Sequence, residues 1–116
     1  MIGALLVALG AAVGAPARYL LDRAVQRRYP APWGTVTVNV LGSLVLGALA
    51  AGASDAWGLL AGTGFCGALT TYSTFAYETV RRAETGERRR AVLEAVAGTT
   101  TGLLAAALGW WLSALV

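Results

Sequence analysis

The chain has 116 residues, 57% of them hydrophobic and 13% charged, with a formal net charge of +3. A soluble domain of this length needs roughly a quarter of its residues charged to cover its surface, so the composition excludes a soluble globular protein and leaves room for one domain in a membrane. There is no His and a single Cys, Cys66. That excludes a His-based catalytic group, a zinc cluster and an intrachain disulfide.

Four apolar runs follow one another, at residues 2–21, 32–53, 57–80 and 91–116. Each has about the 20 residues that a spanning helix requires, so the chain 1–116 reads as a single all-α domain of four transmembrane helices. The connections are too short for a domain outside the bilayer. Residues 2–14 followed by Ala15-Pro16-Ala17 also resemble a signal peptide. The positive n-region is missing, though, and Arg18 comes after the apolar run, so the segment is read as the first span.

In that first run, Arg18 sits near the inner end, where a charge must snorkel or face water. It reads as an interfacial anchor or as the wall of an electropositive vestibule, and the two are compatible. Pro16 lacks a backbone donor and is expected to kink the helix nearby. Small-xxx-small pairs recur along the chain as Gly10/Gly14, Gly58/Gly62 and Gly98/Gly102, with Gly42 and Gly47 in the second run. They read as close helix packing. Asn39, between Val38 and Val40, is an amide in hydrocarbon and needs partners. An interhelical hydrogen bond and a pore-lining donor are both open to it.

The third run holds the most informative stretch. Of the thirteen residues 62–74, eight are Gly, Ser or Thr. Irregular backbone at membrane depth is tolerated only where protein or a polar cavity surrounds it, and glycine-interrupted apolar segments point to a binding site near the midplane. Residues 67–70 lie at the middle of the run. If the helix unwinds there, its carbonyls can hold a hard cation and the N–H groups of the next half-helix can face an anion. Tyr72 and Phe75 are three residues apart and share a helix face, and the positive edges of their rings suit a small bare anion. Thr70, Thr71, Ser73 and Thr74 add hydroxyls. In the fourth run Thr99, Thr100 and Thr101 point about 100° apart and cannot all face one pore. Glu78 and Glu94, near the inner ends of runs three and four, are expected to form surface ion pairs.

Charge sets the orientation. Arg23, Arg27 and Arg28 lie in the first connection and Arg81, Arg82, Arg88, Arg89 and Arg90 in the third, whereas the second holds only Asp55. Arginine flanking short spans stays inside, so loops one and three are predicted to be cytoplasmic and both termini outside, in the cell membrane. The same clustering makes these residues topology signals rather than a nucleic-acid patch.

Three segments together resemble the Fluc (CrcB) family of bacterial fluoride channels, over essentially the whole chain. Gly14 through Arg18-Tyr19 is similar to the end of the family's first helix. Residues 34–42, Gly-Thr-Val-Thr-Val-Asn-Val-Leu-Gly, match its Gly-Thr-x-x-x-Asn-x-x-Gly motif. Residues 64–75 are similar to its third-helix signature. The resemblance implies an antiparallel dimer with two fluoride pores and a third helix broken at its middle. It also implies a structural, non-transported sodium ion at the dimer centre, held here by the backbone carbonyls of Gly67 and Thr70. Asn39, Tyr72, Ser73, Thr74 and Phe75 would line the fluoride pore and Arg18 its vestibule. Tyr72 stands where the family usually has Phe, and its hydroxyl either joins the pore's hydrogen bonding or narrows the path.

The implied activity is passive fluoride efflux, which lowers cytoplasmic fluoride and confers resistance, with no enzyme chemistry. The main rival, a small multidrug exporter, needs a membrane-embedded carboxylate, and runs one and two have none. A non-conducting assembly subunit has no use for the polar stretch of run three. Eight arginines on one side against none on the other favour a single orientation. The expected partner is therefore an oppositely oriented paralogue rather than a second copy in a homodimer.

Overall fold

A computed structural model describes residues 1–30 and 33–115. The described residues are mostly helical, with no strand. In chain order they form α1 (Ile2–Gln26), α2 (Trp33–Ala50), the single turn α3 (Asp55–Trp57), a π-helical stretch (Gly58–Cys66), the short α4 (Gly67–Leu69), α5 (Tyr72–Glu84) and α6 (Arg88–Ala114). Three of these, α1, α2 and α6, are long and apolar enough to cross a membrane, with mean hydropathies of 1.7, 1.5 and 1.6. Residues 57–80, read from the sequence as one span, are divided between shorter elements.

Helix ends differ from the expected boundaries in ways the local residues explain. α1 passes Leu21 and runs to Gln26, with Gln26 reaching back to Asp22 and Arg23 to the Tyr19 hydroxyl at 2.9 Å. Pro16 does not end it, and the helix is continuous through that residue. α2 stops at Ala50, three residues short of Ala53, where Gly52 and Ala53 both donate to the Leu49 carbonyl. The predicted limits at Pro32 and Val116 lie outside the described residues. α5 and α6 are joined by a tight turn in which Gly86 has φ 93° and Glu87 N–H donates back to the Arg82 carbonyl. A glycine past the helix end takes that left-handed conformation without a Cβ penalty. α1 and α5 thus extend into the first and third expected connections, and α6 begins within the third.

Packing is close and backbone to backbone. α2 lies along α6, and α1 along the π-helical stretch. A Cβ built at Gly10 would collide with the Leu60 carbonyl, one at Gly14 with the Phe65 carbonyl, and one at Gly47 with the Ala106 carbonyl. In lipid, where apolar side chains gain nothing by meeting each other, such approach is what holds helices together. Few apolar side chains are buried: Val38, Cys66 and Leu69 are, while Leu5, Leu9, Val13, Val96, Leu103 and Leu104 face outward.

The molecule extends 47 Å along its long axis, about the thickness of a bilayer with its headgroups. Tyr19, Tyr29, Trp33 and Tyr77 are exposed near one end, and Trp57, Trp110 and Trp111 near the other. Paired aromatic belts of this kind sit at the two membrane interfaces. The chain is a multi-pass α-helical membrane protein.

Candidate functional site

The helical run through residues 58–84 is interrupted at Thr70 and Thr71. Thr70 has φ −79° and ψ 159°, and Thr71 φ −144° and ψ 119°, both extended. The interruption falls just beyond residues 67–69, which stay helical. An extended pair inside an apolar molecule leaves peptide groups without helical partners, and each must be satisfied. Asn39 on α2 does this for Thr71. Its Oδ1 accepts from Thr71 N–H at 2.7 Å and its Nδ2 donates to the Thr71 carbonyl at 3.1 Å. Of the two fates open to Asn39 in the sequence, the interhelical bond is the one observed, and the same side chain also borders the groove described next.

Thr71 opens α5 as its N-cap. Its Oγ1 accepts from Thr74 N–H at 3.2 Å and donates to Thr74 Oγ1 at 3.1 Å. Thr70 bonds backwards, its N–H and its Oγ1 both donating to the Cys66 carbonyl at 2.9 Å. Preceding the interruption, the wide π-helical turn places Gly62, Gly64 and Cys66 in the interior. A π segment in an otherwise α-helical run often marks a functional region.

These groups border an open groove of about 660 Å³ between α2, the π-helical stretch, α5 and α6. Asn39, Gly67, Thr70, Thr71, Tyr72, Phe75 and Thr99 all line it. No charged side chain does. Phe75 is half-buried with its ring edge against Gly98 on α6, where an added Cβ would lie 2.9 Å from the ring. Tyr72 is 82% exposed at the groove's mouth. Of the three threonines on α6, Thr99 reaches the groove, while Thr101 donates back to the Ala97 and Gly98 carbonyls.

On the other side of Thr71 lies a second cavity of about 220 Å³, lined by Arg18, Tyr19, Asp22, Thr35, Val38, Thr71 and Thr74. The expected pore residues are therefore divided. Asn39, Tyr72 and Phe75 meet in the groove, and Thr74 lies in the Arg18 cavity. Ser73 borders neither, its Oγ standing 3.5 Å from Thr71 Oγ1. Thr71 touches both spaces.

Two features were missed by sequence reasoning. Thr35 Oγ1 donates to Glu78 Oε1 in a short bond across 43 residues. Glu78 forms no ion pair with any described residue, which corrects the surface pair expected for it. The only signal was the half-burial that a carboxylate inside run three requires. Glu94 does pair, with Arg82 at 2.8 Å and Arg90 at 3.1 Å. The Glu87 hydrogen bond, with Glu94 beside it, holds Arg82 further above its already high usual range. Gly98, expected as a close helix contact, makes that contact with α5 by seating the Phe75 ring.

A groove lined by amide, hydroxyl and ring, beside an interrupted helix in a membrane, defines a protein that handles a small solute or ion. A family profile described as "CrcB-like protein, Camphor Resistance (CrcB)" matches residues 5–110. The chain is 54% identical over 114 residues to the fluoride-specific ion channel FluC 1 of Streptomyces avermitilis, covering 92% of each. It is 54% identical over 117 residues to the FluC 1 of Frankia casuarinae, covering 90% of this chain and 91% of the relative. To the fluoride-specific ion channel FluC 2 of Rhodococcus jostii it is 48% identical over 110 residues, covering 94% and 96%. The chain belongs to the CrcB family, whose members named here are ion channels and not enzymes.

Proposed function

We propose that this chain is a subunit of a fluoride-specific ion channel that lowers cytoplasmic fluoride by passive efflux. The observation that carries the reading is the interruption at Thr70–Thr71, which lines an uncharged groove beside Phe75. Fluoride as the ion is supported by the relatives' names. Hydrofluoric acid enters cells neutral and dissociates, and an inside-negative potential then drives the anion out. In this reading Arg18 draws the anion into its vestibule, and hydroxyls, amide and ring edges pass it on. A groove lined by no charged side chain lets the ion leave as readily as it enters.

The reading takes residues 57–80 as a fourth crossing built from the π-helical stretch, α4 and α5, broken at its middle. The long open groove is the surface on which an antiparallel partner would seat. A structural sodium ion fits there in part. The carbonyls of Gly67 and Thr70 receive no hydrogen bond from any described residue, and both residues border the groove. A hard cation takes oxygen ligands. Two carbonyls are half a shell, and the partner would supply the rest. Gly67 has ordinary helical angles and nothing within 4 Å of an added Cβ, so its own chain does not demand glycine there.

Loops one and three are assigned to the cytoplasm. The one-sided arginines favour a paralogue of opposite bias over a second copy, and the relatives' numbering as FluC 1 and FluC 2 fits paired chains. The test is anion efflux from liposomes carrying this chain alone, or with such a paralogue, using a fluoride electrode and a chloride control. Fluoride loss far exceeding chloride loss is expected, and the arm in which it appears identifies the dimer. Equal loss of both anions, or no fluoride loss in either arm, overturns the reading.

A further inference from the structure

In an unbroken helix the N–H of Thr71 would bond to the Gly67 carbonyl, and the N–H of Thr74 to the Thr70 carbonyl. Neither bond is made. Thr71 N–H goes to Asn39 Oδ1 at 2.7 Å, and Thr74 N–H goes to Thr71 Oγ1 at 3.2 Å. Two side chains thus capture the two donors whose helical acceptors are the carbonyls of Gly67 and Thr70. The carbonyl just before this stretch, Cys66, is doubly occupied by Thr70. Ala68 and Leu69 do not border the groove, whereas Gly67 and Thr70 do.

We propose that Asn39 and Thr71 are positioning residues for a groove-bound sodium ion, each diverting one N–H so that one carbonyl stays free to coordinate. Neither side chain needs to touch the ion. The inference rests on the sodium reading above and adds to it a cause for the free carbonyls. It also gives Asn39 a role separate from lining a pore. An amide that holds one residue on both its N–H and its C=O fixes the local backbone more firmly than a single bond would.

The competing explanation is ordinary capping, in which both contacts only stabilise the interruption. Thermal unfolding of the purified channel separates the two, followed by tryptophan fluorescence while sodium replaces N-methylglucamine at constant ionic strength. A bound ion raises the midpoint saturably with its concentration. The wild type should show that rise. Thr71→Val keeps the shape but removes the hydroxyl, returning Thr74 N–H to the Thr70 carbonyl, and should move the half-saturating sodium concentration up about tenfold. Thr71→Ser keeps the hydroxyl and should restore the wild-type value. Should Thr71→Val not fold, Asn39→Leu releases the other N–H and reads the same shift.

If the variants lower the midpoint equally at every sodium concentration, with half-saturation unchanged, the contacts are only caps and the proposal is overturned. A wild type insensitive to sodium overturns the sodium reading itself, whatever the variants do, and leaves fluoride conduction to be judged by efflux.

Discussion

Gly47→Ala and Gly109→Ala should each lower the thermal midpoint of the protein by roughly 5 °C or more, in detergent or lipid. The cause is α2–α6 packing. A Cβ at position 47 would collide with the Ala106 carbonyl, and one at 109 with the Leu44 carbonyl while standing 2.9 Å from Ala48 N. These are backbone atoms, which cannot swing aside as the end of a side chain can. Overpacking of this kind costs about 1–3 kcal/mol, and relieving it here means separating two whole helices. Gly3→Ala is the control. Its added Cβ would meet only Leu59 Cδ1 at 3.5 Å, ordinary contact, and a helical Gly→Ala change gains about 1 kcal/mol. Its midpoint should hold or rise. Equal losses at positions 3, 47 and 109 would contradict this packing.

Asn39→Leu should cut fluoride flux about a hundredfold while the protein remains folded. Leucine is close to asparagine in size and suits the apolar surroundings of Val38 and Val40. It cannot accept from Thr71 N–H or donate to the Thr71 carbonyl, the two bonds at 2.7 and 3.1 Å. Each unmade bond in a water-poor interior costs about 1–3 kcal/mol, and the cheapest remedy is for the two extended residues to wind back into helix. That would close the polar step between the groove and the Arg18 cavity. Single-channel current or liposome efflux reads the effect. Circular dichroism, expected to gain slightly in helix content, reads the cause. Flux within twofold of the wild type would show that Asn39 is dispensable.

Much of the architecture can be read from residue types because lipid imposes simple rules. Apolar runs of sufficient length mark α1, α2 and α6, and Gly10, Gly14 and Gly47 mark backbone approach. The enrichment of residues 62–74 in Gly, Ser and Thr points to irregular backbone, and two extended residues do occur there. Their position at Thr70 and Thr71, rather than at residues 67–70, depends on Asn39, an acceptor and donor 32 residues away. No local pattern contains that information. The π-helical stretch has no composition of its own and arises where Gly64 backs against Gly10 on α1. The Thr35–Glu78 bond is equally non-local.

The site was legible as a set of residue types but not as an arrangement. Thr71 was one hydroxyl among several, yet it caps α5, is held by Asn39 and separates the two cavities. Ser73 and Thr74, adjacent in sequence to Tyr72 and Phe75, follow the helical turn away from the groove. Consecutive residues on a helix diverge by about 100°, so a contiguous motif cannot all face one path. Glu78 differs from Glu94 for the same kind of reason. Glu78, three and four residues before Arg81 and Arg82, turns to Thr35, while Arg82 reaches Glu87 and Glu94.

The most direct test of the central claim is the reversal potential of the conducting preparation in a planar bilayer, with fluoride on one side and chloride at equal concentration on the other. The account predicts a displacement toward the fluoride equilibrium of at least about 59 mV, one decade of selectivity for a monovalent ion. A reversal potential near zero, or displaced toward chloride, would contradict it.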